Sequence, residues 1–144
     1  MEMELTELTA ENDIAGIYDI YRHCMFMPTK AEFNKKMASF LEDEAVKIFA
    51  CLYRGAVSGV IVLSFVERSR AEILGIAVAE SVRRKGIGSF MISRLAADYG
   101  LHSVFAETDD DAAGFYRKNG FGITAFSESY DGETVIRYKC ELGK

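Results

Sequence analysis

Proline, histidine and cysteine are scarce in this 144-residue chain, which holds one Pro, two His and three Cys. Cys24, Cys51 and Cys140 are odd in number, far apart and free of any C-x-x-C spacing, while His23 and His102 are separated by most of the sequence. Metal-ligand spacing is absent, so no metal site is expected and the thiols are read as reduced. No apolar run approaches the roughly 18 residues of a membrane span; the longest, Val60–Val66 and Ile73–Ala79, have strand length. Met1-Glu2-Met3-Glu4 is acidic and lacks the basic and apolar regions of a signal peptide. The 17 Lys+Arg against 22 Asp+Glu leave a net charge of −5, and a general nucleic-acid-binding surface needs a basic excess. These absences predict a cytoplasmic protein with no membrane or nucleic-acid partner.

The composition itself is ordinary, with 49% hydrophobic and 27% charged residues, near the averages for soluble domains. The length is close to the commonest for one domain, so residues 1–144 are read as a single domain that folds without a staple. Met3–Leu8 alternates as a strand, and Ile14, Ile17, Tyr18 and Tyr21 then recur at helical spacing. Past Pro28, Thr29 and Glu32 form a capping box ahead of a helix with Phe33, Met37, Phe40 and Leu41 on one face. Val46–Tyr53 and Val57–Val66 read as a hairpin around Arg54-Gly55-Ala56. Ala71–Val78 is nearly all apolar, which predicts a strand buried on both faces. A helix follows over Gly86–Tyr99, stopped by Gly100, then a strand at Ser103–Thr108 and a short helix at Ala112–Asn119. Phe121–Glu128 and Thr134–Leu142 form a last hairpin around Asp131-Gly132. The order β-α-α-β-β-β-α-β-α-β-β predicts an α/β or α+β fold with helices packed on a mixed sheet, and periodicity alone leaves the strand order open.

Chemistry concentrates where the Ile73–Val78 strand runs through Arg83-Arg84-Lys85-Gly86-Ile87-Gly88-Ser89 into a helix. A helix N-terminus offers unpaired N–H groups and a positive dipole, and glycine lets a ligand approach the backbone closely. Three cations add local positive charge to an acidic protein, which suits an anion docked at one place. Without a ligand, the same residues make a basic helix start with a softened turn. A dinucleotide fingerprint fails because Met91 stands at the third glycine position, and no Gly-Lys-Ser/Thr exists for a P-loop.

Arg83-x-x-Gly86-x-Gly88 resembles the Q/R-x-x-G-x-G/A motif of the GNAT family of N-acetyltransferases. Asp109-x-x-Ala112-x-x-Phe115-Tyr116-x-x-Asn119-Gly120-Phe121 is similar to that family's second motif, in the right order and on the right elements. The motifs cover about half of the chain, and residues 1–66 match none. The resemblance implies acetyl-CoA as cosubstrate, without a metal, on a GNAT-like fold whose fourth and fifth strands splay. Its pantetheine arm would pair with the backbone of Ile76, Ala77 and Val78, and its pyrophosphate would rest on the turn from Arg83 or Arg84 through Lys85, Gly86, Ile87, Gly88 and Ser89. Asp109 departs from the family's usual Asn at a position near the cofactor; it can cap the Ala112 helix or form an acidic rim for a cationic acceptor.

Acetyl transfer to an amine needs a neutral amine, a donor for the oxyanion and a proton for the leaving thiolate. The resemblance implies a strand N–H near Ile76 for the oxyanion and Tyr116 as the acid; Tyr116 can instead simply pack beside Phe115. Glu72 stands where one branch of the family carries a catalytic base, and burial would raise its pKa. It can equally be a solvent-facing glutamate beside Arg70, with ordered water taking the proton. Tyr18, Tyr21, Tyr130 and Met25-Phe26-Met27 are either core or the lining of an acceptor pocket. The resulting expectation is transfer to a primary amine of a small molecule or peptide by direct attack on the thioester, with a homodimer among the assemblies open to it. A non-catalytic acyl-CoA sensor is the alternative.

Overall fold

The periodicities of the sequence place most elements. β1 (Met3–Leu8) leads into α1 (Glu11–Ile14), a 3-10 turn over Ala15–Ile17, α2 (Tyr18–Tyr21), a second 3-10 turn over Arg22–Cys24 and then α3 (Lys30–Glu42). Next come β2 (Val46–Tyr53), β3 (Ala56–Glu67), β4 (Arg70–Val78), α4 (Ile87–Asp98), β5 (Ser103–Thr108), α5 (Asp110–Lys118), β6 (Gly122–Tyr130) and β7 (Glu133–Gly143). The computed structural model describes residues 2–143, and only the backbone of Glu11, Asn12 and Asp111. Seven strands form one sheet in the order β1-β2-β3-β4-β5-β7-β6, antiparallel except for β4 and β5. The β2–β3 and β6–β7 hairpins each turn on a two-residue loop with positive φ throughout, at Arg54-Gly55 and Asp131-Gly132, the handedness that matches strand twist.

The chain packs helices on both faces. Ile87, Met91, Ile92 and Leu95 of α4 and Tyr116 of α5 meet Ile61, Leu63, Ile73, Val104 and Cys140 on one face. Ile14, Ile17, Tyr21, Phe33 and Met37 meet Ile48, Val60, Val62 and Ala77 on the other. Neighbours on β3 thus serve opposite cores, as the period of two requires. No helix among the described residues is long and apolar enough to cross a membrane.

Three sequence expectations need correction. The single helix over Ile14–Tyr21 is broken into short α and 3-10 turns. Ile14, Ile17 and Ile20 are spaced by three and all buried, which suits the three-residue 3-10 turn, and Gly16 weakens continuous α winding. The capping box is half formed: Thr29 Oγ1 accepts from the Glu32 N–H at 3.2 Å, but the Thr29 N–H goes to the Met27 carbonyl. β4 is not buried throughout, because only Ala71, Ile73 and Ala77 are buried and Leu74 is 38% exposed.

The cause lies in how β4 meets its neighbours. It pairs with β5 only over Arg70–Glu72 with Ser103–Phe105, after which the two strands part. Against β3 the register slips, with Leu63 opposite Ile73 and Val62 opposite Gly75. Leu74 is therefore the extra residue of a β-bulge, and such a bulge re-aims the side chains that follow it. Before it Ala71 and Ile73 face α4; beyond it Ile76 and Val78 do. Gly75 and Ala77 turn to the opposite face, where Tyr21 lies.

Candidate active site

The parting of β4 from β5 opens a cleft of about 740 Å³. One wall is the β4 edge at Ile76, Ala77 and Val78, which is paired to β3 on one side and free of β5 on the other. Free strand edges present alternating N–H and C=O groups to whatever lies beside them. The Arg83 Nε–H donates to the Val78 carbonyl at 3.3 Å, tying the next loop back to this edge.

The cleft continues onto the start of α4, with Arg83, Arg84, Gly86, Ile87, Gly88 and Ser89 in its lining. Arg84 (φ 69°) and Gly86 (φ 79°) both take left-handed backbone conformations, the kind of local backbone from which anion-binding concavities are built. No side chain caps α4, so the N–H groups of its first turn are available to an anion. The two glycines do different work. A Cβ on Gly86 would meet nothing within 4 Å, so its backbone angle is what favours glycine there; a Cβ on Gly88 would fall 2.8 Å from Phe115 Cε1. Gly88 is thus needed for packing α4 against α5 as well as for approach from the cleft.

α5 and its C-cap Asn119 supply the third wall, with Ala112, Phe115, Tyr116 and Lys118 from the helix itself. Asn119 locks it to α4: its Oδ1 accepts from the Ser89 hydroxyl at 2.5 Å and its Nδ2 donates to the Phe115 carbonyl at 2.8 Å. Tyr116 is 4% exposed between the rings of Phe115 and Phe121. Burial, then the nearby Cys140 and Cys24 thiols, push its phenol above the usual range, so it holds its proton at neutral pH. Arg83, Arg84 and Lys118 give the cleft positive charge in a protein of net charge −5.

The profile of the Acetyltransferase (GNAT) family matches residues 14–121. The chain belongs to the GNAT acetyltransferase family. A search of curated proteins returns no significant match. Among solved structures, this acetyltransferase is similar to Ard1 from Thermoplasma volcanium, with 26% identity, TM-score 0.70, and 99% and 98% of the two chains covered. A GNAT family acetyltransferase from Elizabethkingia anophelis with acetyl-CoA bound is 20% identical, with TM-score 0.72 and 99% of each chain covered. The ribosomal-protein-S18-alanine N-acetyltransferase from Escherichia coli is 20% identical, with TM-score 0.73 and coverage of 98% and 93%.

Ten of the residues singled out from sequence line the acetyltransferase cleft: Ile76, Ala77, Val78, Arg83, Arg84, Gly86, Ile87, Gly88, Ser89 and Tyr116. Lys85, Glu72 and Asp109 do not. Lys85 points to solvent. Glu72 sits where β4 and β5 are still joined, opposite Ser64 and Phe105. Burial and the Glu107 carboxylate raise its pKa, partly offset by Arg70. Asp109 stands at the N-cap of α5 without a capping bond, because its carboxylate pairs with Arg137 Nε at 3.2 Å. The Asp110 carboxylate acts on the Tyr138 hydroxyl and raises its pKa, and the Asp111 side chain lies outside the described residues.

His23 and Cys24 line the cleft without having been marked by any motif. Burial pushes the Cys24 thiol up to about 11, opposed by hydrogen bonding from Tyr21 and the Ile76 backbone. Solvent reaches Cys24 while protein crowds its thiol. Of the residues suggested for an acceptor pocket, Tyr18 and Tyr21 pack on Phe33 in the second core. Phe26 is 98% exposed and Tyr130 is exposed beside Arg137.

Proposed function

We propose that this acetyltransferase moves an acetyl group from acetyl-CoA to a primary amine of a small molecule or peptide by direct attack on the thioester. The observation that carries the reading is continuity: a free strand edge, an uncapped helix N-terminus and a buried tyrosine hydroxyl share one cleft. The N–H groups of Ile87, Gly88 and Ser89 suit a pyrophosphate, and Arg83 and Arg84 add charge beside them. The edge of Ile76–Val78 suits an amide-bearing arm laid alongside as another strand. Acetyl-CoA supplies both features together with an activated acyl group, so the residues present fit it. An outward N–H near Ile76 is the donor for the oxyanion that forms as the amine adds, preorganised by the β3 ladder. Tyr116, protonated and buried beside this edge, delivers the proton that the leaving thiolate takes up.

Thermal-shift measurements with acetyl-CoA, CoA, NAD and ATP test the donor half. A ligand at 100 times its Kd stabilises a fold by about 2.7 kcal/mol, so both CoA compounds should raise Tm and the other two should not. A shift with NAD or ATP alone overturns the proposal. Release of free thiol in the presence of spermidine, benzylamine and an alanyl tripeptide amide tests the transfer half. CoA binding without amine-stimulated thiol release would favour the non-catalytic sensor.

A further inference from the structure

Direct attack needs a neutral amine, yet an alkylammonium has a pKa of about 10.4 and arrives protonated. The titratable and charged side chains among the described residues of the cleft are His23, Cys24, Arg83, Arg84, Tyr116 and Lys118. Arginine and lysine carry their protons at neutral pH. Cys24 and Tyr116 keep theirs as well, since burial raises both. No carboxylate among the described residues lines the cleft, and Glu72 lies back along β4 where β5 still covers its edge.

One proton acceptor is left. We infer that the His23 imidazole is the general base that deprotonates the acceptor amine, a role that rests on the acetyltransferase reading above. An imidazole in water titrates near 6.5 and is the side chain suited to exchanging a proton around neutral pH. The Arg22–Cys24 turn packs on β4, and His23 lines the same cleft as the free edge at Ile76, Ala77 and Val78, the edge along which the acyl-bearing arm is proposed to lie. Tyr21 anchors this turn. It is 2% exposed, and its ring lies so close to Gly75 that a side chain there would collide with its hydroxyl. Arg22, Tyr21 and Cys24 flank His23 in its own segment, and Lys36 of α3 acts on the same corner. Arg83 and Arg84 face the cleft from the loop before α4, and Tyr116 and Lys118 from α5; β4 contributes only the uncharged Gly75–Val78.

The protons balance. The ammonium gives its first proton to His23, which passes it to solvent, and the neutral nitrogen adds to the acyl carbon. The C–S bond breaks, the thiolate takes the Tyr116 proton, and the second nitrogen proton returns to Tyr116 directly or through water. The products are an amide, CoA thiol and one released proton.

The test is the single-turnover rate of acetyl transfer from acetyl-CoA between pH 5 and 9.5, for the wild type, His23→Gln and Glu72→Gln, with the three amines named above. His23→Gln should lose about 10²- to 10⁴-fold at pH 7, the range of general-base catalysis. It should also lose the acid limb of the wild-type profile, recover toward wild type at high pH and be partly rescued by free imidazole. Its acetyl-CoA Kd should stay within about twofold, which separates a lost base from a lost site. Glu72→Gln should keep the limb. A His23→Gln rate and limb like wild type, or loss of the limb in Glu72→Gln, overturns the inference while leaving the acetyltransferase intact. A wild type that transfers to none of the amines refutes the reading beneath it and the inference with it.

Discussion

Gly75→Ala would load the joint between the bulged strand and the turn that carries His23. In an ordinary strand the exchange is favourable by about 0.5–1 kcal/mol, because alanine loses less backbone entropy. Here the new Cβ would fall 2.8 Å from Cζ and 2.9 Å from Cε1 of Tyr21, with the hydroxyl closer still. Tyr21 cannot simply retreat, since it is 2% exposed and packed against Phe33 with ring centroids 6.3 Å apart. Overpacking of this kind costs about 1–3 kcal/mol, and the middles of the two ranges leave a net loss of about 1.3 kcal/mol. An unfolding entropy of about 2.1 cal/mol/K per residue gives about 0.3 kcal/mol/K for the whole chain, so Tm should fall by about 4 °C. Calorimetry of Gly75→Ala, Tyr21→Phe and the double variant checks the cause. Removing the hydroxyl takes away the nearest atom, so the alanine should cost less in the phenylalanine background. An unchanged or raised Tm in Gly75→Ala, or strict additivity in the cycle, refutes the packing argument.

Tyr116→Phe keeps the ring among Phe115 and Phe121 and removes the proton donor. The single-turnover rate should drop about 10²- to 10⁴-fold with little change in acetyl-CoA affinity; a lower Tm with a normal rate would make the residue a packing element only. Gly86→Ala strains a left-handed position, so Tm should fall by about 3–7 °C for a cost of about 1–2 kcal/mol. Gly88→Ala should hold Tm nearly constant, because helix propensity gains up to about 1 kcal/mol while Phe115 must swing aside. The displaced ring should then weaken acetyl-CoA binding in titration calorimetry, and wild-type affinity would count against this assignment. Glu72 has a folded pKa raised by burial and Glu107, so the folded state binds more protons than the unfolded chain as pH rises from the carboxylate range. That carboxylate therefore costs stability once ionised. The Tm of Glu72→Gln relative to wild type should be higher at pH 7 than at pH 4, and the opposite ordering would contradict the shift.

Strands, hairpins and the phosphate-facing turn were legible because each rests on a local cause. Asp131-Gly132 specifies its own turn, and Arg83 through Ser89 place cations and glycines at a helix start within seven residues. What the sequence hid depends on partners distant along the chain. The bulge at Leu74 exists only against the register of β3. Gly88 owes part of its necessity to Phe115, which lies on another helix. Asp109 reads as a cap until Arg137 of β7 is seen to hold it. His23 and Cys24 carry no pattern at all, and only the docking of their turn on β4 brings them to the cleft. The broken winding before them left a spacing of three among Ile14, Ile17 and Ile20, compatible with an α-helical stripe until the winding is known.

The sheet is mechanically a pair of plates, four strands and three, hinged at three residue pairs between Arg70–Glu72 and Ser103–Phe105. Beyond the hinge, the Ser89–Asn119 strap couples the helices seated on either side of the gap. A ligand laid along Ile76–Val78 would bridge the plates in the plane of the sheet, doing for the open end what β5 does for the closed one. Resistance to pulling the plates apart would then rise with ligand concentration as RT ln(1 + [L]/Kd). The amides of the free β4 edge and of β5 should show that dependence as slower hydrogen exchange, because local opening and ligand release become a single event.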